Sequence, residues 1–194
     1  MTLSSDPDQV QDFCIPSTDP ILGPCKNPRL VTPDDFIFSG LKNPPDKNFT
    51  DTGLSAFPVT AATFPGLNTL GMSFVRAELE PGGMNPPHFH PRATETVYVL
   101  QGRVYSGFVD STNRVFAKVV EKGEVMVFPR GLVHFQMNVG KGRAVVFGCF
   151  NGQNPGVMKI PNVLFGSGID DGLLERAFGL SIDQISRIRR RFLP

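Results

Sequence analysis

The sequence predicts an all-β fold, a barrel or sandwich of short strands, and three observations carry that expectation. Between residues 70 and 160 the chain offers a series of short runs rich in β-branched and aromatic residues, each bounded by turn-forming residues. Strands so closely spaced close into a barrel or stack as two sheets. The composition agrees, since 20 Gly and 18 Pro favour turns over long helices. Helical periodicity is confined to the segment after Gly168. With 194 residues, 40% of them hydrophobic, one domain with a sizeable core is expected. Its parts are an N-terminal arm over 1–50, a β-barrel over 51–166 and a helical extension over 167–194.

The elements follow in chain order. The arm is rich in Pro and Asp, shows little periodicity and carries Cys14 and Cys25. Strands are predicted over 71–79, 96–100, 103–109, 115–120, 125–128, 133–138 and 144–150, with turns at 110–113 and 121–124. Beyond 165–168 the apolar spacing changes to 3.6. Asp170 and Asp171 can cap a helix carrying Leu173, Leu174 and Phe178. Ser181 can cap a second, carrying Ile182, Ile185, Ile188 and Phe192, with Asp183 in its first turn. The run Arg187, Arg189, Arg190 and Arg191 reads as solvated charge compatible with the helix dipole. These apolar faces lie outside the barrel, so a neighbouring subunit is their expected partner.

Charge and hydropathy narrow the function classes. A net charge of +1 supplies no polyanion surface, so nucleic acid is not an expected partner. No apolar run reaches the roughly 18 to 20 residues that span a bilayer, so no membrane partner is expected either. Met1-Thr2-Leu3-Ser4-Ser5 lacks the apolar core of a secretory signal, which leaves a cytosolic chain or one from which the signal has been removed. A Cys14–Cys25 bond would anchor the arm and favour the second; two free thiols fit the spacing as well. Cys149, in the apolar run 143–150, reads as a buried small hydrophobe. Asn48-Phe49-Thr50 is an N-glycosylation sequon in a polar stretch.

The chemistry concentrates in two short segments that hold all three histidines of the chain. The first is Gly82-x5-His88-x-His90-x4-Glu95-x6-Gly102, the second Gly123-x5-Pro129-x-Gly131-x2-His134-x3-Asn138. In an extended strand residues two apart share a face, so His88 and His90 can converge on one ion while Phe89 points away. Parity alone would put Glu95 on the wrong face, and a bend at Pro91, which cannot donate to a sheet ladder, must correct it. His134 enters from a second strand. Three imidazoles and a carboxylate, with no thiolate, suit manganese, iron, nickel or zinc, and ligand type does not choose among them. Parity also puts Gln136 and Asn138 on the face of His134, making Gln136 a candidate donor behind the ligands. Asn138 reads equally as an amide satisfying a strand end.

The two segments match, without a gap, the boxes of the germin and germin-like proteins, plant members of the cupin superfamily, which this chain resembles. The resemblance extends through Ser5-Asp6-Pro7-Asp8 with Gln11-Asp12-Phe13-Cys14, through Phe64-Pro65-Gly66-Leu67-Asn68-Thr69-Leu70-Gly71, and through Asn151-Gly152-Gln153-Asn154-Pro155-Gly156. It implies a cupin (jelly-roll) β-barrel, a Cys14–Cys25 disulfide, helical C-terminal extensions clasping a homohexamer built as a trimer of dimers, and secretion to the apoplast or extracellular matrix. It also implies manganese held by His88, His90, Glu95 and His134.

Two activities come with the family: oxidation of oxalate by dioxygen to carbon dioxide and hydrogen peroxide, and dismutation of superoxide. Asn85 precedes the Pro-Pro-His turn as in oxalate-oxidising germins, where it can hydrogen-bond a bound carboxylate or water. A second asparagine of those enzymes aligns with Val75, which offers no donor. Superoxide dismutation is therefore the expected activity, with Asn85 and Gln136 as the pocket residues. Oxalate oxidase, an oxidase or cyclase of specialised metabolism acting on a larger organic substrate, and a cell-wall or ligand-binding protein with a structural metal are the alternatives.

Overall fold

The computed structural model describes residues 11–17, 24–42 and 49–192. Its strands are β1 (Leu54–Val59), β2 (Ser73–Leu79), β3 (Met84–Phe89), β4 (Glu95–Gln101), β5 (Arg103–Val109), β6 (Val115–Glu121), β7 (Val125–Phe128), β8 (His134–Asn138), β9 (Ala144–Phe150) and β10 (Met158–Lys159). They form two five-stranded antiparallel sheets, ordered β1-β2-β9-β4-β7 and β10-β3-β8-β5-β6. Neighbours such as β2 and β9, or β3 and β8, are distant in sequence, the connectivity of a jelly roll. Between the sheets the inward positions build the core, with Leu79, Val97, Val99, Val104, Val120, Phe128 and Val146 all buried.

Each strand read from the sequence is present within two residues of its expected limits. Four of these elements were not among the expected runs: β3, of which only an extended path through His88 and His90 was anticipated, and β1, β10 and a short helix. β1, Leu-Ser-Ala-Phe-Pro-Val, contains a proline that argues against a strand; it is tolerated because β1 is an edge strand. β10 is only two residues long, and a six-residue helix, α1 (Ile160–Phe165), follows it with proline in its first turn.

The arm is tied down by covalent and apolar contacts. Cys14 and Cys25 are joined in a disulfide, the Cys14 carbonyl accepts from the Asn68 amide at 2.8 Å, and Lys26 pairs with Asp35 at 2.8 Å. Phe38 and Leu41 pack on Val59, Ala61 and Leu67, covering the outside of the β1 end of the sheet. Asn48 lies outside the described residues. Cys149 is half-buried rather than buried, because it points to the outer face of β9.

The two expected C-terminal helices are α2 (Asp171–Phe178), capped by Asp170, and α3 (Ile182–Arg189), opened by a Ser181/Gln184 capping box. Leu174 and Ile185 are buried within the chain, while Leu173, Phe178 and Ile182 remain exposed. Arg189 departs from the solvated reading of the arginine run: its guanidinium bonds Asp171 at 2.7 Å and the carbonyls of Phe165 and Ile169, pinning α3 to the start of α2. Its side chain is half-buried because those carbonyls need donors.

Candidate metal centre

The site is built where the inner faces of the two sheets meet. His88 in β3 stands directly opposite His134, the first residue of β8. Between Asn85↔Gln136 and His88↔His134 the register shifts, three steps on β3 against two on β8. The extra residue sits at Pro86-Pro87, which have no N–H to lose from the ladder. This bulge brings both Asn85 and His88 to the inner face, although an odd spacing would separate them in a regular strand. His90 lies just beyond β3. Glu95 does not continue that strand at all: residues 90–94 cross to the other sheet, and Glu95 opens β4 facing back. The parity conflict disappears because Glu95 faces the three histidines from the opposing sheet.

All four side chains are buried, and their ligand atoms lie within 4.8 Å of one another. Glu95 Oε2 is 3.0 Å from His134 Nε2 and 3.1 Å from His90 Nε2. Each imidazole turns its Nδ1 to a backbone carbonyl: Pro86 at 2.8 Å for His88, Leu132 at 2.8 Å for His134, and Gly156 for His90. A carbonyl only accepts, so in the neutral ring Nδ1 carries the proton and the Nε2 lone pair faces inward. Three such lone pairs and a carboxylate oxygen repel one another unless a cation sits among them. The residues therefore fit a divalent ion. Phe128 stacks on His134 at 4.5 Å between centroids and Phe150 meets His90 at 4.6 Å, walling the donors from water.

Burial, reinforced by the charge of His134, pulls His88 down to about 3, so it is neutral near pH 7. Burial pushes Glu95 up, but in the ion-free site, where an imidazole carrying a proton on Nε2 donates to the carboxylate, hydrogen bonds with His134 and His90 outweigh burial and hold the carboxyl at about 2. Both shifts have the same sign for stability. The unfolded chain, with His near 6.5, binds more protons than the folded one as pH falls, so stability present above about 6.5 is lost on the way down to 3 and, through Glu95, to 2. For metal-free protein the loss is expected to be several kcal/mol, the larger part through His88. Urea midpoints measured across this range check it, and His88→Gln flattens the slope.

The neighbouring amides differ in role. Asn85 Nδ2 is 3.3 Å from His88 Nε2, beside the point on which the donors converge. Gln136 is buried on the inner face of β8. Asn138 closes a strand end: its amide donates to Leu79, Glu80 and Gly142 carbonyls at 3.0, 3.0 and 2.8 Å, and its Oδ1 accepts from Gly140. A cavity of about 400 Å³ opens from the ligands, lined by Asn85, Gln136 and Val75 and by inward apolar residues of β1, β2, β4 and β9. Sequence reading did not supply the β1 wall, since that strand was unrecognised, nor the part of Gly156, whose motif was noted without a structural role.

The cupin family model matches residues 39–186. Germin-like protein subfamily 3 member 2 of Arabidopsis thaliana is 59% identical, covering 100% of this chain and 88% of the relative. Germin-like protein 2-4 of Oryza sativa subsp. japonica is 54% identical over 100% of this chain and 89% of its own length. A solved oxalate oxidase in complex with the substrate analogue glycolate superposes with a TM-score of 0.88 at 38% identity, over 96% of this chain and 98% of that one. The jelly roll, the paired boxes and these full-length matches agree, and the chain belongs to the germin-like proteins of the cupin family.

Proposed function

We propose that the chain is a manganese-dependent oxidoreductase that dismutes superoxide, two superoxides and two protons giving dioxygen and hydrogen peroxide. The observation that carries this reading is a buried His88/His90/Glu95/His134 donor set open on one side to a cavity that Val75 lines without a hydrogen-bonding group. Manganese, when bound, supplies one-electron cycling between its two- and three-plus states. The chain's residues do the rest. Lys159 gives the cavity a cation that attracts a small anion. The Asn85 amide, 3.3 Å from His88 Nε2, orients water for proton delivery, and Gln136 donates from the opposite strand. Superoxide consumption by manganese-loaded protein, above that of the free ion and lost on chelation, is the expected result; rates equal to the free ion would overturn it.

Oxalate oxidation, the activity named for the structural relative, is expected to be weak here. A dianion held without the amide that Val75 displaces forgoes roughly 1–3 kcal/mol. Val75→Asn should therefore raise peroxide production from oxalate about tenfold or more. Equal rates in both proteins would show that this position does not control the reaction.

The same proposal extends to setting and assembly. The Cys14–Cys25 disulfide favours an oxidising compartment and hence secretion to the apoplast, with glycosylation at Asn48. A homohexamer, a trimer of dimers, would cover the exposed Leu173, Phe178 and Ile182 of the helices. Removing residues after Gly168 should lower the mass seen by light scattering; an unchanged mass would place the contact elsewhere.

A second reading is favoured by the cavity itself, which is far larger and more apolar than superoxide or oxalate requires. It is a site for a larger organic molecule.

A further inference from the structure

We infer that the cavity binds an organic monoanion with an apolar body, its carboxylate beside the metal ligands and Lys159 and its body along the wall of β1 and β2. The inference rests on the second reading above and names its chemical class. Three observations carry it.

The first is where the cavity opens. β1 and β10 are the edge strands of their respective sheets, and residues of both line the cavity. The sandwich is therefore open along this side, and Ala56, Pro58 and Val157 are exposed there. A ligand can enter between the sheet edges and reach the ligands without passing through the core.

The second is what makes the space. Ala56 of β1 and Ala77 of β2 are directly opposed in register, with Leu54↔Leu79 beside them. Two methyl groups face each other where larger residues elsewhere fill the interior. The hollow is bounded by Leu54, Leu79, Val97 and Val146, which offer no hydrogen bond to a small polar guest. An apolar guest of matching size removes this wall from water.

The third is the charge. Lys159 is the register partner of His88, and directly opposed residues of adjacent strands project from the same face. Lys159 lines the cavity, and its ammonium has no hydrogen-bond or ion-pair partner among the described residues. Glu95, the acidic residue of the lining, is committed to the imidazoles. One free cation beside an apolar hollow selects a guest with one negative end.

The test uses manganese-loaded, full-length protein and the series acetate, butanoate, hexanoate and octanoate, with octanol as the uncharged probe, followed by calorimetry. Affinity should rise about threefold to fourfold per added methylene. Octanoate should bind more tightly than octanol, and Lys159→Met should narrow that difference while leaving octanol's affinity in place. Ala77→Phe should reduce octanoate to the affinity of acetate. Ala56→Phe, at an exposed position, repeats the test should the buried variant fail to fold. A flat chain-length series, or octanol binding as well as octanoate in the unmodified protein, would overturn the inference. Superoxide consumption measured on the same samples separates the claims: turnover with a flat series sinks only the inference, and a rising series without turnover sinks only the dismutase.

Discussion

Replacing His134 with alanine is expected to remove stoichiometric metal binding and leave the jelly roll folded. His134 is the first residue of β8, is almost wholly buried, and stacks on Phe128 while its Nδ1 bonds the Leu132 carbonyl. Its Nε2 is one of the two imidazole nitrogens about 3 Å from Glu95 Oε2. Deleting the ring removes a donor atom and leaves the carboxylate in an apolar enclosure with one imidazole in contact. Supporting residues around metal ligands already control affinity by about 10- to 100-fold, so loss of a ligand itself should exceed about a hundredfold. The fold should persist because the core loses one ring contact, at Phe128, and keeps its cluster of Leu79, Val97, Val104 and Val146.

Elemental analysis of the dialysed variant should find well below one ion per subunit. Its thermal midpoint should also stop responding to added manganese. In the unmodified protein an ion at a thousand times its dissociation constant contributes about 4 kcal/mol of stability by mass action, and the variant forfeits that response. One tightly held ion per subunit in His134→Ala, or anomalous scattering placing the ion elsewhere, would refute the assignment of these four ligands.

The strands and the two ligand boxes were legible because their signals are local. Alternating apolar residues mark a face, a capping box marks a helix start, and His88 and His90 are separated by one residue. What was illegible depends on distant partners. Parity along one strand could not place Glu95, because the chain changes sheets between His90 and Glu95. The β3 bulge that brings Asn85 and His88 to one face is a property of the pairing with β8. Arg189 looked like one more solvated cation in a basic run, yet carbonyls at the end of α1 and before α2 claim its guanidinium. The cavity is still less local: it exists because Ala56 and Ala77 meet in register, and one of those strands was masked by its proline.

A second large effect is expected at a residue that coordinates nothing. Gly148 of β9 pairs with Val75 on one side and Val97 on the other, and all three positions face the interior. A Cβ added there would lie 2.7 Å from Val75 Cγ1 and 2.9 Å from Glu95 Oε1, well inside ordinary van der Waals contact. Neither neighbour yields freely. Val75 is β-branched, with restricted χ1, and Glu95 is fixed by His90 and His134. The hydrogen at Gly148 is thus what lets the carboxylate stand at its place beside a valine. Gly148→Ala should push Glu95 from its position, lowering metal affinity by more than about tenfold and stability by about 1–3 kcal/mol. Adding Val75→Ala removes the apolar clash but leaves the carboxylate contact at 2.9 Å, so it should restore stability more than metal affinity. That split is the diagnostic. Manganese titrations and thermal melts of the single and double variants read the two quantities separately. Full metal affinity in Gly148→Ala would mean that Glu95 either has room to spare or is not a ligand, and recovery of affinity in step with stability would trace the whole effect to packing against Val75.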